Sequence, residues 1–338
     1  MTAEILPTHT AALFATAVRR ATALLSAGEL VALPTETVYG LAANALNPQA
    51  VAKIFPAKGR PAHNPLIVHI VGRSMAEACV SHWSPLVDKL ARAFWPGPLT
   101  LVLPRSAAIP DLVTAGGPTV ALRWPAHPFI QAVIRECGFP LAAPSANLSN
   151  HLSPTNVEHV RQQLGGVIPL IVDGGQSQVG IESTVFDLSA VPHRILRPGM
   201  IHAAALMAVT REPVASPPAE PGAAAEALRS PGQLKKHYSP KARLLLLAWQ
   251  DDLDLKRQLA GHQLSPAGCQ IIAHAHIPSP DDFGRVCVIP HDAEAFARAL
   301  YAQLHNCDVP GAGCIVVELP PDQPEWSGIT DRLRRAAA

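Results

Sequence analysis

The sequence has few charged residues for its length. Of its 338 residues, 16% are Asp, Glu, Lys or Arg, against about 25% in a typical globular protein. The charges nearly cancel, to a net +1. This balance argues against a generally basic surface that would coat a nucleic acid, although it allows a local basic patch. Hydrophobic residues make up 48% of the chain, which is enough to build a core over most of its length.

Long hydrophobic runs and a targeting segment are also missing. No apolar run approaches the ~20 residues that span a membrane, and the N-terminal MTAEILPTHT lacks the basic region that opens a signal peptide. The six cysteines are scattered and form no CxxC pair, so neither a zinc site nor a disulfide framework is expected. We therefore predict a soluble, cytoplasmic protein with reduced cysteines and no membrane contact.

The familiar motifs of nucleotide, hydrolytic and metal chemistry are absent. The chain has no GxxxxGK[ST] phosphate loop, no GxGxxG between a strand and a helix, and neither GxSxG nor HExxH. His274 and His276 point the same way along a predicted strand but lack a third ligand, so we predict no protein-bound metal. Any phosphate chemistry must therefore use another arrangement of charged and polar groups.

The order of apolar runs divides the chain into two α/β domains. Residues 1–208 mix strand-like and helix-like segments, a pattern typical of an α/β domain with a large, twisted mixed sheet and flanking helices. Residues 209–241 are rich in Pro, Ala and Gly without sustained periodicity, which indicates a linker. Residues 242–338 show a second strand–helix pattern, which predicts a smaller Rossmann-like α/β domain.

Two cations stand out in the stretch PAKGRPAHNPLIVHI. Lys58 and Arg60 share one turn between Pro56 and Pro61, with no carboxylate nearby. We expect Pro56 to end the preceding helix, which covers 47–55. A stiff loop would then hold both charges ready for a polyanion at little entropic cost. The alternative is an ordinary solvated surface turn.

Small polar residues follow a predicted strand over 140–147. In APSANLS, Ser145, Asn147 and Ser149 lie near its carboxyl end, where α/β sheets commonly bind ligands. Ser and Asn are also favoured helix caps, so both interpretations stay open. Ser153, which precedes a proline, is open in the same way between a cap and a ligand contact.

Polar residues also interrupt or follow other apolar strands. His69 in LIVHI and Arg123 in VALRW need partners, because an unpaired polar group is costly to bury. A lone histidine is more often a satisfied core residue, whereas the planar guanidinium of Arg123 suits a carboxylate. Thr37, after a strand, could bind a small polar ligand or simply extend the strand. Tyr238 in KKHYSP could lie over an aromatic base or be exposed linker.

Taken in order, these segments resemble one known family. The YrdC-like domain of L-threonylcarbamoyladenylate synthases is similar to residues 10–200, through LPTETVYGLAANALNPQAVAKIFPAKGRPAHNPLIVHI, FWPGPLTLVLP, VALRWPAHP, PLAAPSANLSNHLSPT and VGIESTVFDL followed by ILRPG. The segment PGQLKKHYSPKA resembles the linker motif of the two-domain form. The C-terminal part fits that form by position and pattern.

The resemblance implies a reaction. In this family L-threonine, bicarbonate and ATP, with Mg²⁺ on the phosphates, give threonylcarbamoyl-AMP and pyrophosphate. The product supplies the threonylcarbamoyl group of the tRNA modification t6A, and a separate transferase complex completes the transfer. We expect the same substrates and magnesium here, with the transferase complex and tRNA or double-stranded RNA as further partners. Such a reaction needs no protein nucleophile, which fits the missing triad motifs.

The resemblance also implies site residues. The KxR and SxN signature of the family falls on Lys58, Arg60, Ser145 and Asn147. The threonine site would be lined by Thr37, His69, Arg123, Ala143 and Ser183. ATP would be contacted by Arg60, Asn64, Thr119, Ser145, Ser153, Arg197 and Tyr238. One departure is Pro56, where the family usually has a longer side chain; we expect it to shorten the helix but to leave the cations in register.

Two other functions stay open on the sequence. The same fold could use a cationic cavity to bind double-stranded RNA or a ribosome without adenylation, with an affinity that falls steeply in salt. The near-neutral net charge weighs against this function. Another carbamoyl-adenylate enzyme, as in hydrogenase maturation, would carry acylphosphatase-like and zinc-finger-like segments, whereas this chain has no CxxC pair.

Overall fold

The computed structural model describes residues 2–215 and 238–338, which divide into two units. The first unit comprises residues 2–149 and 153–215, and the second comprises 150–152 and 238–338. Most of the predicted linker, residues 216–237, lies outside the described residues, so the linker bounds of 209 and 241 stay predictions.

The first unit is a mixed α/β unit, as predicted. Its strands are β1 (Glu4–Pro7), β2 (Val31–Leu33), β3 (Gly40–Asn44), β4 (Ile67–His69), β5 (Leu99–Pro104), β6 (Thr119–Arg123), β7 (Leu141–Ala142), β8 (Leu170–Asp173), β9 (Thr184–Asp187) and β10 (Arg194–Arg197). Its helices are α1 (Ala11–Ser26), α2 (Pro48–Lys58), α3 (Arg73–Cys79), α4 (Pro85–Phe94), α5 (Asp111–Thr114), α6 (Pro128–Cys137), α7 (Val157–Leu164) and α8 (Ala203–Thr210).

These strands form one large mixed sheet. Among the described residues its order is β1-β8-β2-β3-β7-β4-β6-β5-β9-β10. The pairs β1–β8, β2–β8, β4–β6 and β5–β9 are parallel. The pairs β2–β3, β3–β7, β4–β7, β5–β6 and β9–β10 are antiparallel. The prediction of a large mixed sheet is confirmed.

Both faces of this sheet are covered, which explains the nearly continuous apolar strands. In β2, Val31 and Leu33 join a cluster with α1 and α6, whereas Ala32 between them joins a cluster with α2, α4 and α7. This alternation is the two-residue period of a strand. Side chains of both parities are therefore buried, as expected of a sheet that lies between two layers of helices.

Helix α2 extends past Pro56, so our expectation that Pro56 would end it is wrong. Proline removes only one amide donor from the helix. The turn after it is closed by the N–H groups of Gly59 and Arg60, which both donate to the carbonyl of Phe55, the latter at 2.9 Å. Gly59 ends the helix in the left-handed region, at φ +60°. Both cations thus flank a helix terminus.

The second unit has the predicted Rossmann-like pattern. Its strands are β11 (Arg243–Leu247), β12 (Cys269–Ala273), β13 (Arg285–Val288) and β14 (Cys314–Glu318), and its longer helices are α9 (Asp252–Gly261), α10 (Ala293–Cys307) and α11 (Ser327–Ala336). The strands lie in the order β11-β14-β12-β13, and every pair is parallel. A cluster around Leu255, Ile271 and Val316 forms its own apolar core.

The six cysteines are free thiols. Burial raises the pKa of several of them, including Cys79 and Cys314, each to about 11. Within the described residues, no helix is long and apolar enough to cross a membrane.

Candidate active site

The two cations of the AKGR stretch are buried, so the alternative of a solvated turn is wrong. Lys58 is 2% exposed and Arg60 is 7% exposed. The Lys58 ammonium donates to the carbonyl oxygens of Ser145 and Asn147, the second at 2.5 Å. The Arg60 guanidinium donates to the carbonyls of Asn64 and Pro65, at 3.2 and 2.8 Å. Uncharged oxygens therefore orient both cations.

Burial makes the charged form of Lys58 costly. Desolvation lowers the pKa of the Lys58 ammonium well below its usual range, and the positive charge of Arg60 lowers it further. The two carbonyl acceptors favour the charged form, but they carry no negative charge of their own. A bound anion would offset both effects, so this position suits a phosphate.

The loop that follows β7 closes on the end of α2. The predicted strand over 140–147 is shorter than expected, because β7 ends at Ala142. The next residues turn towards α2, where Ser149 N–H donates to the Lys58 carbonyl at 2.8 Å and Asn147 Oδ1 lies 3.4 Å from Lys58 Nζ. The structure thus brings together Lys58, Arg60, Ser145 and Asn147, the four residues of the predicted signature.

Two strand residues that looked out of place in the sequence are neighbours. His69 and Arg123 end β4 and β6, and they are register partners in this parallel pair. Arg123 Nη1 donates to Thr37 Oγ1 at 2.8 Å. Burial lowers the pKa of His69 to about 3, with a smaller effect from Arg123, so its imidazole is neutral. His69 Nδ1 and Arg123 Nη2 have no well-aligned hydrogen-bond partner among the described residues.

Backbone contacts and hydroxyls link these groups into one region of the first unit. On one side, Ala143 N–H donates to the Ile67 carbonyl in β4, at 3.0 Å. On the other, β6 with Arg123 pairs with β5, and Thr100 Oγ1 of β5 lies 2.8 Å from Ser183 Oγ. The predicted threonine residues Thr37, His69, Arg123, Ala143 and Ser183 are therefore brought together.

Arg197 lies beside the predicted threonine residue Ser183. Its Nε donates to the Ser183 carbonyl and its Nη2 to Ser183 Oγ, both at 3.1 Å. Arg197 is itself buried. Close by in sequence, the buried Glu182 accepts a hydrogen bond from Ser153 Oγ at 2.5 Å. Arg197 is thus a fourth buried cation, after Lys58, Arg60 and Arg123. It lies next to a predicted threonine residue, and the buried Glu182 carboxylate lies next to a predicted ATP contact.

The remaining predicted ATP contacts differ in their surroundings. Asn64 is fully buried, and neither atom of its side-chain amide has a well-aligned hydrogen-bond partner among the described residues, so both atoms are available to a polar ligand. Thr119 begins β6 and Arg123 ends it, so the rise of a strand separates them by roughly 13 Å. Thr119 therefore lies at the opposite end of β6 from Arg123, and its contact with ATP stays a prediction.

Tyr238 belongs to the second unit and is buried, so the alternative of an exposed linker residue is wrong. It is 1% exposed and has φ +63°. The Arg332 guanidinium lies 5.2 Å from the centre of its ring, within the range of a cation–π contact.

The histidines of the second unit have protein partners. His276 Nδ1 lies 2.7 Å from the Glu318 carboxylate, and His274 Nδ1 lies 2.7 Å from His291 Nδ1. Across the described part of the chain, no group of three or more His, Cys, Asp or Glu side chains is arranged to hold a metal ion.

One residue of the site escaped the sequence analysis. The buried Glu36 carboxylate lies 2.6 Å from Arg123 Nη2 and forms an ion pair with it. The sequence does contain an indication of its role: Glu36 is a charged residue between Thr35 and Thr37, directly after an apolar strand.

Comparison with known proteins covers both units. A family model described as telomere recombination matches residues 23–199, and one described as threonylcarbamoyl-AMP synthase, C-terminal domain, matches residues 199–338. The first range contains every predicted site residue except Tyr238, which falls in the second.

Individual relatives match over nearly their whole length. The chain is 37% identical to a threonylcarbamoyl-AMP synthase of Pyrococcus abyssi, over 95% of this chain and 94% of that one. It is 39% identical to a threonylcarbamoyl-AMP synthase of Bacillus subtilis, over 95% and 92%. The crystal structure of P. abyssi Sua5 complexed with L-threonine matches with a TM-score of 0.90 at 35% identity, over 100% and 98% of the chains. The chain therefore belongs to the threonylcarbamoyl-AMP synthase family, in its two-domain form.

Proposed function

We propose that this enzyme makes threonylcarbamoyl-AMP from L-threonine, bicarbonate and ATP, with release of pyrophosphate and water, as the first step of the tRNA modification t6A. The observation that supports it is the set of buried cations Lys58, Arg60, Arg123 and Arg197 in the first unit. A buried cation attracts an anion more strongly than an exposed one, because less water screens its charge. Threonine, carbamate and ATP together supply the anions.

The cations address the main barrier of this reaction. The threonine amine first takes up the carbon of bicarbonate, which loses water and leaves a negatively charged carbamate. A carbamate oxygen then attacks the α-phosphorus of ATP, the bond to the β-phosphate oxygen breaks, and pyrophosphate leaves. An anion thus attacks a polyanion. At ~4 Å and an effective dielectric constant of ~20, each opposite charge offsets about 4 kcal/mol of this repulsion.

The predicted residues divide between the two reactants. We propose that Lys58, Arg60 and Arg197 bind the phosphates and the developing charge on them. Arg123 binds the threonine carboxylate, for which its planar guanidinium is suited. The neutral His69 lies beside Arg123 and can hydrogen-bond the threonine hydroxyl. A site built to bind that hydroxyl rejects the analogue that lacks it by a factor of about 10⁴.

We propose that ATP binds as its magnesium complex. Magnesium in such sites is commonly held by substrate phosphates with one or two carboxylates. Glu182 is a buried carboxylate next to Ser153, a predicted ATP contact, and it is suited to this role. Bound magnesium would neutralise part of the charge of the phosphates.

The reaction is tested by omitting substrates one at a time. We expect the purified chain to form pyrophosphate from ATP only when threonine and bicarbonate are both present. Lys58→Ala and Arg60→Ala should each lower the rate by a factor of about 100 or more, because each leaves charge in the transition state without its partner. Pyrophosphate release and circular dichroism report activity and fold.

Matched surface variants serve as controls. Lys89 and Arg19 are exposed cations of the same first unit, and Lys89→Ala and Arg19→Ala should keep the full rate. Equal pyrophosphate release without threonine would contradict the proposed reaction. Full activity of folded Lys58→Ala and Arg60→Ala would contradict the role of the cations.

A further inference from the structure

Glu36 is a buried carboxylate in a region otherwise rich in cations. It is 7% exposed, and one of its oxygens lies 2.6 Å from Arg123 Nη2. Neither carboxylate oxygen has a well-aligned hydrogen bond among the described residues. A buried carboxylate with so few partners is costly to keep, so its place beside Arg123 calls for a functional explanation.

The contacts of Arg123 hold its guanidinium in one orientation. Nη1 donates to Thr37 Oγ1 at 2.8 Å, and Nε reaches the Gly97 carbonyl at 3.3 Å. Glu36 holds the third nitrogen, Nη2, and is the negatively charged member of this set. Because Arg and carboxylate groups are planar, such an ion pair fixes direction as well as position.

The charge around Arg123 differs from that around Lys58. The contacts of Lys58 described above are to carbonyl and amide oxygens of Ser145 and Asn147. Arg123 has a carboxylate at ion-pair distance. A phosphate, which is purely anionic, gains most at Lys58 and meets repulsion from Glu36 near Arg123. Threonine carries an ammonium next to its carboxylate, so a site that contains both a guanidinium and a carboxylate matches its charges.

We propose that Glu36 determines ligand specificity: it positions Arg123 and offsets its charge, so that this part of the site takes a zwitterionic amino acid in preference to a phosphate anion. The proposal rests on the proposed function, in which threonine binds at Arg123. It assigns to Glu36 a role that the resemblance to the family did not include. Without Glu36, Arg123 would be a general anion site.

The test compares three ligands by isothermal titration calorimetry. They are L-threonine, 3-hydroxybutyrate, which keeps the carboxylate and hydroxyl but lacks the ammonium, and inorganic pyrophosphate. We expect the wild-type chain to prefer threonine strongly to 3-hydroxybutyrate, and Glu36→Gln to reduce this preference about tenfold, as loss of one charge contact would do. Pyrophosphate should compete with threonine more strongly in Glu36→Gln. In turnover, the KM for threonine should rise while that for ATP stays the same.

Control variants separate this role from a purely structural one. Glu29→Gln removes an exposed carboxylate that pairs with Lys53 at 2.8 Å, and it should leave every preference unchanged. Glu36→Asp keeps the charge and should keep the preference for threonine even if binding weakens. Glu36→Asp also tests the proposal if Glu36→Gln does not fold. If Glu36→Asp binds threonine no more tightly than 3-hydroxybutyrate, the proposal is overturned.

The outcomes also distinguish this proposal from the proposed function. If the wild-type chain binds threonine but Glu36→Gln shows the same preference and the same competition by pyrophosphate, the role of Glu36 is overturned and the function stands. If the wild-type chain does not bind threonine, both are overturned.

Discussion

Buried charges dominate the site at the scale of single residues. Lys58 ends a helix and Arg123 ends a strand, and each is held by oxygens from distant parts of the first unit. Their orientation is therefore fixed before any ligand arrives, and little conformational entropy is lost on binding. Electrostatic preorganisation of this kind is commonly the largest contribution to catalysis.

The shifted pKa of His69 predicts a dependence of stability on pH. Burial lowers its pKa to about 3, whereas the unfolded residue titrates near pH ~6.5. Between these values the unfolded chain binds a proton that the folded chain does not. The free energy of unfolding should therefore rise with pH between about 3 and 6.5. The stabilisation that comes from keeping His69 neutral is fully present above this range and is lost as the pH falls towards 3.

Replacing His69 should weaken this dependence. In urea denaturation at pH 4.5 and 7, the loss of stability at the lower pH should be smaller in His69→Asn than in the wild type, by about 2 kcal/mol. The exposed His9 provides the matched control, and His9→Asn should behave as the wild type. An equal loss in wild type and His69→Asn would show that the buried imidazole does not govern the acid response.

Single residues could be predicted where their polarity conflicted with their surroundings. His69 and Arg123 stood out because they interrupt apolar strands, and the structure makes them neighbours. The burial of Lys58 could not be predicted, because the carbonyl groups that accept its hydrogen bonds lie in the 143–149 loop, far away in the sequence. Glu36 was missed because its partner is 87 positions away and nothing local indicates a pair.

At the scale of elements, the end of α2 decides where the cations lie. Gly59 has φ +60°, and a Cβ added there would have no atom within 4 Å. A side chain at this position would therefore cost conformational energy and cause no steric clash. The left-handed backbone conformation is less favourable by roughly 1 kcal/mol for a residue with a Cβ than for glycine.

We expect Gly59→Ala to lower the free energy of unfolding by about 1 kcal/mol and to reduce pyrophosphate formation severalfold, because Lys58 and Arg60 flank the strained position. Gly166 also has open space around an added Cβ but no positive φ, so Gly166→Ala is the matched control and should be neutral. Urea denaturation and the pyrophosphate assay measure both effects. If Gly59→Ala and Gly166→Ala have the same free energy of unfolding, the left-handed conformation of Gly59 does not require glycine.

Elements could be predicted by type better than by their ends. Hydrophobic patterns predicted two α/β domains, a helix over 47–55 and a strand over 140–147, because they reflect which side chains face the core. Pro56 gave the wrong end for α2, since the two amides that close the next turn are not visible in a local rule. The order of strands in the large sheet depends on pairings between distant segments, and no local pattern predicts it.

At the scale of the whole molecule, each unit has its own apolar core. One cluster in the second unit joins α9 with β12 and β14, while separate clusters cover the two faces of the large sheet. All the predicted threonine residues lie in the first unit, whereas Tyr238 lies in the second. The two ligands can therefore be tested separately by shortening the chain.

A chain that ends at residue 215 should fold and bind threonine about as well as the full chain. This shortened chain lacks Tyr238, a predicted ATP contact, so its affinity for ATP should fall about tenfold, which corresponds to about 1.4 kcal/mol. Circular dichroism and calorimetry with threonine and an ATP analogue measure these effects. A folded, shortened chain that has lost threonine binding would contradict this division of residues.

The register of β4 and β6 ties the chemistry of the enzyme to its folding. His69 and Arg123 face each other only in the alignment that also buries the apolar residues of both strands. Inserting or deleting one amino acid within either strand would turn the side chain of His69 or Arg123 towards the opposite face of the sheet. The apolar side chains next to it in the strand would change faces as well. A mutant of that kind cannot survive as a stable but inactive protein. In this part of the chain, evolution can tune the enzyme by exchanging residues but not by changing the length of these two strands by one.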